Sequence, residues 1–579
     1  MSGQSRLLRT RRFLPLFLTQ FLGAFNDNTF KNALVVLLAF HAARWTTLSP
    51  AVLANLAAGI FILPFFLFSA TAGQLADKYD KARLARLVKV LEIGIMLVAG
   101  IGFWQESLAW LLFALFLLGL HSTVFGPIKY ALLPQHLQPT ELLGGNALVE
   151  AGTFVAILLG TLAGGLLAGF GHPLVIAGAG LAVAVAGYLV SRAIPAAPAP
   201  APELRIHPNP LAETWRNIGF ARENRSVFLS ILGISWFWLF GALLLAQFPA
   251  YAKVVLGGSE STVTLLLATF TIGVGLGSLA CEKLSEHRVE LGLVPLGSIG
   301  LTVFGLDLAW SSPSLPAHAP LALAELLAQP GIWRVLADLA ASGLFGGFFI
   351  VPLYALVQIR SREEFRARII AANNIMNALF MVVGSLCAAA LLAAGWSIPQ
   401  LFAAAAVLNA AVAIYIYRLV PEFLVRFAVW LLVHTVGRVM ARGFGHLPEQ
   451  GAALISVGAE GALRPADVLK VMASCSRPIR FILDHRLASR PAFRWLMRQA
   501  NALFVDLESG CSPDSPAGKA LHDAFEAGHL VLVACERSAA EAELHAGVPA
   551  FRLTIGRRSR PIGLWELVEP VLISVEPGD

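Results

Sequence analysis

Long apolar runs dominate the first 420 residues, and short polar segments separate them. A helix needs about 20 apolar residues to cross a bilayer, so the pattern predicts twelve membrane-spanning helices in two groups of six. The first group is expected near residues 13–42, 51–72, 84–104, 108–132, 144–169 and 173–193. The second group is expected near residues 227–252, 261–281, 290–310, 332–357, 367–394 and 398–419. The sequence therefore predicts an all-α membrane protein over this part of the chain.

A segment rich in proline and alanine, Ile194 to Pro202, divides the two groups and opens a polar connector. After about Arg426, charged residues become frequent and short apolar runs alternate with helical segments. This alternation is typical of an α/β domain outside the membrane. The predicted domains are an N-terminal six-helix bundle at 1–193, a connector at 194–225, a second six-helix bundle at 226–420 and a small cytoplasmic α/β domain at 427–579.

Composition and charge agree with a membrane protein. Hydrophobic residues make up 57% of the 579 residues and charged residues 14%, against roughly 25% charged residues in soluble domains. The formal net charge is +7, but Lys and Arg cluster in short loops, whereas Trp45 to Pro50 and Ser311 to Ile332 contain neither. This asymmetry predicts that both termini and the connector face the cytoplasm. It also argues against nucleic acid as a partner.

The first predicted span contains polar residues that are costly in a bilayer. Asn26, Asp27, Asn28 and Lys31 interrupt its apolar run, and a charge near the membrane centre costs about 3 kcal/mol or more. Asp27 and Lys31 stand one helical turn apart, so they could form a structural ion pair or mark a transport path. Similar polar groups occur in other spans: Lys129, Asn146 and Glu150 in the first half, and Gln247, Asn373, Asn374 and Asn377 in the second.

A charged turn follows the second span. The segment Gly73 to Arg83 resembles the loop between helices two and three of major facilitator transporters. The resemblance implies that Gly73 permits close helix approach and that Asp77, Lys78 and Arg83 latch a cytoplasmic gate. It also implies a twelve-helix fold, six plus six, whose two bundles rock around a site near the membrane midplane.

Four longer strings resemble the bacterial lysophospholipid transporter family, namely Phe25 to Asn28, Gly126 to Gln135, Glu141 to Glu150 and Ala371 to Ala378. The likeness spans most of residues 12–420. That family moves lysophospholipids, notably lysophosphatidylethanolamine, across the inner membrane toward the cytoplasmic face. The resemblance therefore implies a multi-pass inner-membrane transporter, in contact with membrane lipids, whose substrate is a lysophospholipid.

A carrier of this kind needs a few polar groups beside a wide apolar wall. We expect Lys31 or Lys129 to meet the phosphate, and Asp27 or Glu150 to meet the amine or a coupling sodium ion or proton. His121, in the fourth span, could relay protons, but a lone histidine is more often a packing residue. Candidates for the apolar wall are Phe237, Phe240, Phe348 and Phe349, and a structural or gating pair is expected between Arg334 and Asp338. The other candidate substrate or ion ligands are Asn26, Asn28, Asn146, Gln247, Asn373 and Asn377.

Parts of the tail resemble the glycerophospholipid acyltransferase fold, namely Gly451 to Met472, Arg477 to Asp484 and Leu530 to Ser538. That family uses a histidine five positions before an aspartate as general base. Asp467 matches the aspartate, but Ala462 stands at the histidine position and cannot accept a proton. We therefore expect a degenerate, inactive domain and no enzyme activity, and a separate acyltransferase is a candidate partner.

Two alternatives stay open from the sequence. A proton-coupled drug or multidrug exporter would share the fold and the helix-two loop. A bifunctional transporter and acyltransferase would need another base, for which His446 and His485 are nearby candidates. The five cysteines show no paired metal-ligand spacing and no nucleotide-binding loop is found, so neither a metal, a cofactor nor an ATP-driven pump is expected.

Overall fold

A computed structural model describes most of the chain. The described residues are 3–41, 45–46, 50–169, 173–284, 293–312, 321–419, 425, 428–429, 431–433, 439–448, 451–457, 463–475, 477, 479–505, 515–533, 548–557 and 571–577. The chain divides into two compact units. The first, here called the helical unit, comprises Met1–Val289 and Leu296–Ala413, and the second, the C-terminal unit, comprises Glu290–Pro295 and Ile414–Asp579.

Helices account for nearly all of the described chain up to residue 419. In the first half they are α1 (Gly3–Leu7), α2 (Leu14–His41), α3 (Pro50–Lys78), α4 (Lys81–Trp104), α5 (Leu108–His136), α6 (Leu142–Gly169) and α7 (Leu174–Ser191). Then follow α8 (Pro210–Glu223), α9 (Arg225–Ala250), α10 (Glu260–Leu284), α11 (Leu293–Ser311), α12 (Leu323–Leu327), α13 (Ile332–Arg360), α14 (Arg366–Ala393) and α15 (Ile398–Leu419). The prediction of a mostly helical membrane protein is confirmed.

Eleven helices of the described chain are long and apolar enough to cross a membrane, against the twelve spans that the hydropathy pattern predicts. The helix missing from this set is α2, which has 28 residues. Its apolar run is broken by the Asn26 to Lys31 segment, so its composition alone does not mark it as a span. Exposed tryptophans mark one level of the helical unit, at the helix ends opposite the α3–α4 turn: Trp104, Trp110, Trp310, Trp333 and Trp396. Such a belt is typical of a membrane–water interface.

The most extensive contacts between the two halves of the helical unit are made by two helix pairs, α3 with α14 and α6 with α10. Counting only the long helices, each pair joins the second helix of one half to the fifth helix of the other. The contacts are therefore related by exchange of the two halves, as expected for a fold built from two similar bundles.

Glycines allow the closest helix pairs to form. A Cβ atom at Gly160 of α6 would lie 2.4 Å from the Phe25 carbonyl oxygen of α2, and one at Gly277 of α10 would lie 1.9 Å from the Leu344 oxygen of α13. Any side chain at these positions would push the helices apart.

The connector between the halves is bound along the helix ends at the α3–α4 turn. The Ala197 amide donates to Asp80 Oδ2 at 2.9 Å, and the Ala201 amide donates to the Asp77 carbonyl oxygen at 3.1 Å. Gln74 exchanges two hydrogen bonds with the His207 backbone. Asn209 then caps α8, accepting from the amides of residues 211 and 212. The connector is therefore held to these helix ends by hydrogen bonds of its backbone groups with α3 and with the α3–α4 turn.

The C-terminal unit contains a seven-stranded sheet of order β1-β7-β6-β2-β5-β3-β4, in which the β6–β7 pair is antiparallel and the other pairs are parallel. Its strands are β1 (Val439–Arg442), β2 (Ala453–Val457), β3 (Ile479–Asp484), β4 (Leu503–Val505), β5 (Leu530–Val533), β6 (Ala550–Arg557) and β7 (Val571–Pro577). Its helices are α16 (Pro465–Ser474), α17 (Pro491–Gln499) and α18 (Pro516–Glu526). The central strands are fully buried, as expected for short apolar runs covered by helices.

Asp467 lies at the start of α16, and its carboxylate accepts a hydrogen bond from the Arg464 amide at 3.0 Å. The side chain thus caps the helix. Ala462 lies outside the described residues, so the comparison with an acyltransferase site rests on the sequence.

Candidate functional site

Six polar side chains meet inside the first half of the helical unit, where three helices cross. They form what is here called the buried charge cluster: Asn26 and Asp27 of α2, Lys89 and Glu92 of α4, and His121 and Ser122 of α5. Lys89 Nζ donates to Glu92 Oε2 at 2.5 Å, and both side chains have zero exposure. Asn26 Nδ2 donates to the other Glu92 oxygen at 2.7 Å. Glu92 is therefore paired on both of its oxygens.

His121 lies between the two carboxylates of the cluster. Its Nε2 atom is 3.2 Å from Glu92 Oε2, and its Nδ1 atom is 3.8 Å from Asp27 Oδ1. The second Asp27 oxygen accepts a short hydrogen bond from the Ser122 hydroxyl. His121 is buried, and its ring faces acidic groups on two neighbouring helices.

Two glycines make room for the lysine of the cluster. A Cβ atom at Gly23 of α2 would lie 2.9 Å from Lys89 Nζ, and one at Gly187 of α7 would lie 3.2 Å from it. The Lys89 side chain therefore passes between two helix backbones that carry no side chain at the point of contact.

Lys89 and Glu92 were missed by the sequence reasoning, although a signal was present. Both lie within the predicted span 84–104, where a charge is as costly as it is at Asp27. Their spacing of three residues places them on one helix face, as in other helical ion pairs.

Asp27 and Lys31 do not pair with each other. Lys31 Nζ instead donates to Asn28 Oδ1 at 3.1 Å, and it lies 5.3 Å from the centre of the Phe61 ring. Lys31 is half-buried, whereas Asp27 is 7% exposed. The two residues share a helix, but Asp27 turns toward α5 while Lys31 turns toward α3.

A second polar group links the two halves. The Tyr130 hydroxyl donates to the buried Glu150 carboxylate, and the Tyr130 ring stacks on the Tyr354 ring with centroids 4.4 Å apart. Trp238 Nε1 donates to the Tyr354 hydroxyl at 3.1 Å. Lys129 Nζ lies 4.6 Å from the centre of the Tyr130 ring and is half-buried. The structure thus brings Lys129 and Glu150 to a single aromatic stack.

The amide candidates divide into three environments. Asn146 exchanges two hydrogen bonds with Gln358, at 2.7 and 3.0 Å, across the two halves. Asn377 accepts from Ser235 at 2.8 Å, and Asn373 is buried one helical turn before it on α14. Gln247 lies twelve residues beyond Ser235 on α9, about 18 Å along the helix axis at 1.5 Å per residue. The structure therefore does not place Gln247 with the other candidates.

The four candidate wall phenylalanines are buried. Phe237, Phe240, Phe348 and Phe349 have exposures between 1% and 6%, and Phe237 packs closely on Gly346. In this conformation they are packing residues between helices rather than the lining of an open path.

The gate residues form a contact between the halves. Asp77 accepts hydrogen bonds from the Ala367 amide at 3.1 Å, the Arg368 amide at 3.3 Å and Arg368 Nε at 3.0 Å. A Cβ atom at Gly73 would lie 2.8 Å from the Ala371 Cβ atom, so a side chain there would separate α3 from α14. The acid therefore caps the N-terminus of α14 and pairs with its arginine in a buried position.

The other gate candidates have local partners. Lys78 Nζ lies 5.7 Å from the centre of the Tyr79 ring, and the Arg83 amide donates to the Asp80 cap of α4 at 2.8 Å. Together with the Asn146–Gln358 exchange and the tyrosine stack, the Asp77 contact closes the helical unit at its α3–α4 end.

Two further ion pairs fix helix ends. Arg12 binds Glu141 through both terminal nitrogens, at 2.5 and 2.6 Å, and these hydrogen bonds raise the pKa of Arg12 above its ordinary value. At the other end of the unit, Arg334 binds Asp307 at 2.5 and 3.0 Å. The expected Arg334–Asp338 pair is therefore wrong, and Asp338 instead accepts from Ser311 at 2.9 Å. In the described part of the chain, no group of three or more His, Cys, Asp or Glu residues could hold a metal ion.

The sequence is similar to a known family of membrane transporters. The sequence profile of the family described as Major Facilitator Superfamily matches residues 16–328. The chain is 30% identical over 381 residues to "Lysophospholipid transporter LplT" of Escherichia coli O157:H7, covering 64% of this chain and 86% of that protein. It is 27% identical over 375 residues to the protein of the same name from Serratia proteamaculans (strain 568), covering 64% and 85%.

Solved structures share the fold at low sequence identity. The human organic anion transporter MFSD10 (TETRAN) aligns with a TM-score of 0.56 and 14% identity, over 72% of this chain and 100% of that one. A variant of the Escherichia coli fucose:proton symporter FucP aligns with a TM-score of 0.53 and 11% identity, over 70% and 98%. At these identities the likeness concerns the arrangement of helices alone.

Proposed function

The chain belongs to the major facilitator superfamily and to the family of the LplT lysophospholipid transporters, and we propose that it moves lysophospholipids such as lysophosphatidylethanolamine across the bacterial inner membrane to the cytoplasmic leaflet. The observation that carries this proposal is the 30% identity extending over 86% of LplT. The chain is a multi-pass membrane protein with eleven candidate spans in its described part. We count α2 as the twelfth, because its polar residues face the interior of the bundle.

Two half-buried lysines, Lys31 and Lys129, are suited to bind the phosphate of the substrate. Lys31 has an amide oxygen and an aromatic ring as its near neighbours, and Lys129 has an aromatic ring. A phosphate can therefore approach either ammonium group without displacing a carboxylate from it. Lys89 offers no such opportunity, because it is fully buried and already paired with Glu92. We assign Lys31 and Lys129 to the phosphate, and Asp27 or Glu150 to the substrate amine.

The closed end of the helical unit is assigned to the cytoplasm. Basic loops lie at this end, which is the orientation that the positive-inside rule favours. Release of substrate to the inner leaflet would then require the Asp77–Arg368 contact, the Asn146–Gln358 exchange and the tyrosine stack to separate. Alternating access by rocking of two bundles has this consequence for any contact that bridges them.

The C-terminal unit is assigned to a degenerate acyltransferase-like domain. Its mostly parallel sheet and Asp467 are compatible with that ancestry, while Ala462 removes the general base that the family uses. Asp467 serves as a helix cap. Reacylation of the transported lipid would accordingly fall to a separate acyltransferase.

Uptake of labelled lysophosphatidylethanolamine by proteoliposomes tests the proposal. We expect the intact protein to take up this lipid but not a lipophilic cationic drug, and Lys31→Ala to reduce uptake about tenfold or more, as loss of a charged hydrogen bond to phosphate requires. The matched control is Lys253→Ala, which removes an exposed lysine. Transport of the drug without the lipid would replace this proposal with the exporter alternative. Equal lipid uptake by Lys31→Ala and Lys253→Ala would show that Lys31 is not part of the substrate site.

A further inference from the structure

A short helix of the C-terminal unit presents arginines and a tryptophan to solvent. Helix α17 (Pro491–Gln499) carries Arg494 and Arg498 one turn apart, and both residues are exposed. Trp495 lies beside them and is 64% exposed. Arg490, which is also exposed, directly precedes the helix and stands one turn before Arg494. These four residues are here called the arginine face.

The sequence around the arginine face is basic without interruption. Residues 485–505 contain four arginines and one histidine, but no Asp or Glu. The fourth arginine, Arg486, is exposed in the 3₁₀ turn His485–Ser489, which packs beside α17. A surface with charges of one sign attracts an anionic partner over a distance of about one Debye length.

The opposite side of α17 is used for packing. Phe493 and Met497, one helical turn apart, are buried in the core on one face of the sheet. The apolar side of the helix is therefore already occupied, unlike that of a helix whose apolar face enters a bilayer. Any contact of α17 with a membrane is made by guanidinium groups and the Trp495 ring at the level of the lipid head groups, a level at which tryptophan is favoured.

Two observations favour a membrane surface over a soluble acidic partner. Trp495 is the most exposed large apolar side chain among the described residues of the C-terminal unit, and it lies in the middle of the basic surface. The second observation is the tether, since the last candidate span ends at Tyr415 and β1 begins at Val439. At most about 85 Å of extended chain therefore joins this unit to the bilayer. Such a tether gives the arginine face a high effective concentration at the membrane surface.

We propose that the arginine face docks the C-terminal unit on the cytoplasmic leaflet by binding the phosphate groups of anionic phospholipids. A guanidinium group binds phosphate through paired hydrogen bonds, and a leaflet that contains anionic lipids attracts basic surfaces next to the membrane. The inference goes beyond lipid transport and does not depend on which substrate the helical unit carries. It gives the C-terminal unit a function that needs no catalytic base.

The test uses the full chain in lipid nanodiscs, which leave both membrane surfaces accessible. A fluorophore is attached at Ala492→Cys, an exposed position near Trp495 on α17, in a background without native cysteines. Quenching by a lipid with a nitroxide in its upper acyl chain reports contact with the bilayer. We expect strong quenching in discs that contain phosphatidylglycerol and little in discs of phosphatidylcholine alone. High salt should weaken the quenching, because it screens the arginines.

Replacement of two arginines tests the surface itself. Each basic residue near an anionic membrane strengthens binding about fivefold. Arg494→Gln with Arg498→Gln should therefore lower the ratio of docked to undocked units about 25-fold. The matched control is Arg442→Gln with Lys519→Gln, which removes the same charge from exposed positions elsewhere in the unit. It should leave the quenching unchanged.

A second label position lies on the opposite face of the sheet. Leu521 of α18 packs in a cluster with Ile482, whereas the core under α17 contains the neighbouring Phe481. Successive residues of a strand point to opposite faces, so α17 and α18 cover opposite faces of the sheet. A label at His522→Cys, an exposed position on α18, should therefore be quenched little in either kind of disc.

Equal quenching in neutral and anionic discs, or equal quenching of the Ala492 and His522 labels, would overturn the inference. Quenching that survives the double arginine substitution would also overturn it. A label that ignores the lipid charge but responds to added poly-glutamate would assign the arginine face to an acidic protein instead. The lipid comparison keeps the arginine face intact, so a variant that fails to fold does not protect the inference. Lipid uptake, which tests the transporter function, is measured separately and is not decided by these results.

Discussion

Replacement of Asp77 by asparagine is expected to open the α3–α4 end of the helical unit. The carboxylate accepts two hydrogen bonds from backbone amides at the start of α14 and one from Arg368 Nε. Asparagine keeps one acceptor oxygen, but its side-chain amino group replaces the other oxygen. That amino group is a donor and cannot accept hydrogen bonds from the α14 amides or Arg368. The substitution also removes the negative charge at a helix N-terminus, where it is favourable.

The size of the effect follows from the three hydrogen bonds. A hydrogen bond involving a charged group contributes about 1.5–3 kcal/mol, and asparagine retains part of the set. We expect a net loss of about 2–3 kcal/mol from the closed state relative to the open state, where Asp77 is hydrated. At about 1.4 kcal/mol per factor of ten, the ratio of closed to open molecules should fall by roughly 30- to 150-fold.

Distances between spin labels across this end would measure the change. Thr140 of the first half and Glu364 of the second are both exposed there, so Thr140→Cys and Glu364→Cys in a background without native cysteines provide the labelling sites. Asp77→Asn should add a longer distance to the distribution. The matched control is Asp80→Asn, because the Asp80 carboxylate accepts from the Arg83 and Ala197 amides, both of which lie before the second half. A distribution unchanged by Asp77→Asn, or changed equally by both variants, would refute the assignment of Asp77 as the latch.

Other substitutions test the cluster and the tail. Lys89→Met should destabilise the protein by about 3–5 kcal/mol, because it leaves the buried Glu92 charge without its ammonium partner. Lys89→Met with Glu92→Gln should recover most of this loss in thermal unfolding, and a double variant no more stable than the single one would contradict the pairing. Gly187→Leu should lower the same melting temperature, since its side chain would occupy the path of Lys89, whereas Gly178→Leu, where a Cβ atom meets nothing within 4 Å, should not. Asp467→Ala should destabilise the C-terminal unit by about 1 kcal/mol, because the cap of α16 is lost, and it should leave lipid uptake unchanged. Lower uptake by a normally folded variant would instead indicate that the C-terminal unit takes part in transport.

The helices of this protein could be predicted because long apolar runs and charged turns are local features. Asp80, Asn209 and Asn224 each cap the helix that follows, and a capping residue is recognisable from the sequence. The partner of a charged side chain could not be predicted in the same way, because it depends on which helices pack together in the fold. The i,i+4 spacing suggested pairs for Asp27 with Lys31 and for Arg334 with Asp338, and the fold supplied other partners to all four.

The cost of burying a charge is the reason for assigning Lys31 and Lys129 to the substrate and Lys89 to the fold. Lys89 is fully enclosed and paired, with two glycines giving it space, so its charge is already balanced by Glu92. Lys31 and Lys129 are half-buried and have rings or an amide as near neighbours, so an arriving anion can bind their ammonium groups directly. In the sequence, Lys31, Lys89 and Lys129 all lie in apolar spans, and nothing in their local sequence distinguishes them. We infer their different roles from how far each side chain is enclosed, which spacing along the chain does not reveal. Loss of transport in Lys31→Ala and loss of stability in Lys89→Met are the results that test this inference.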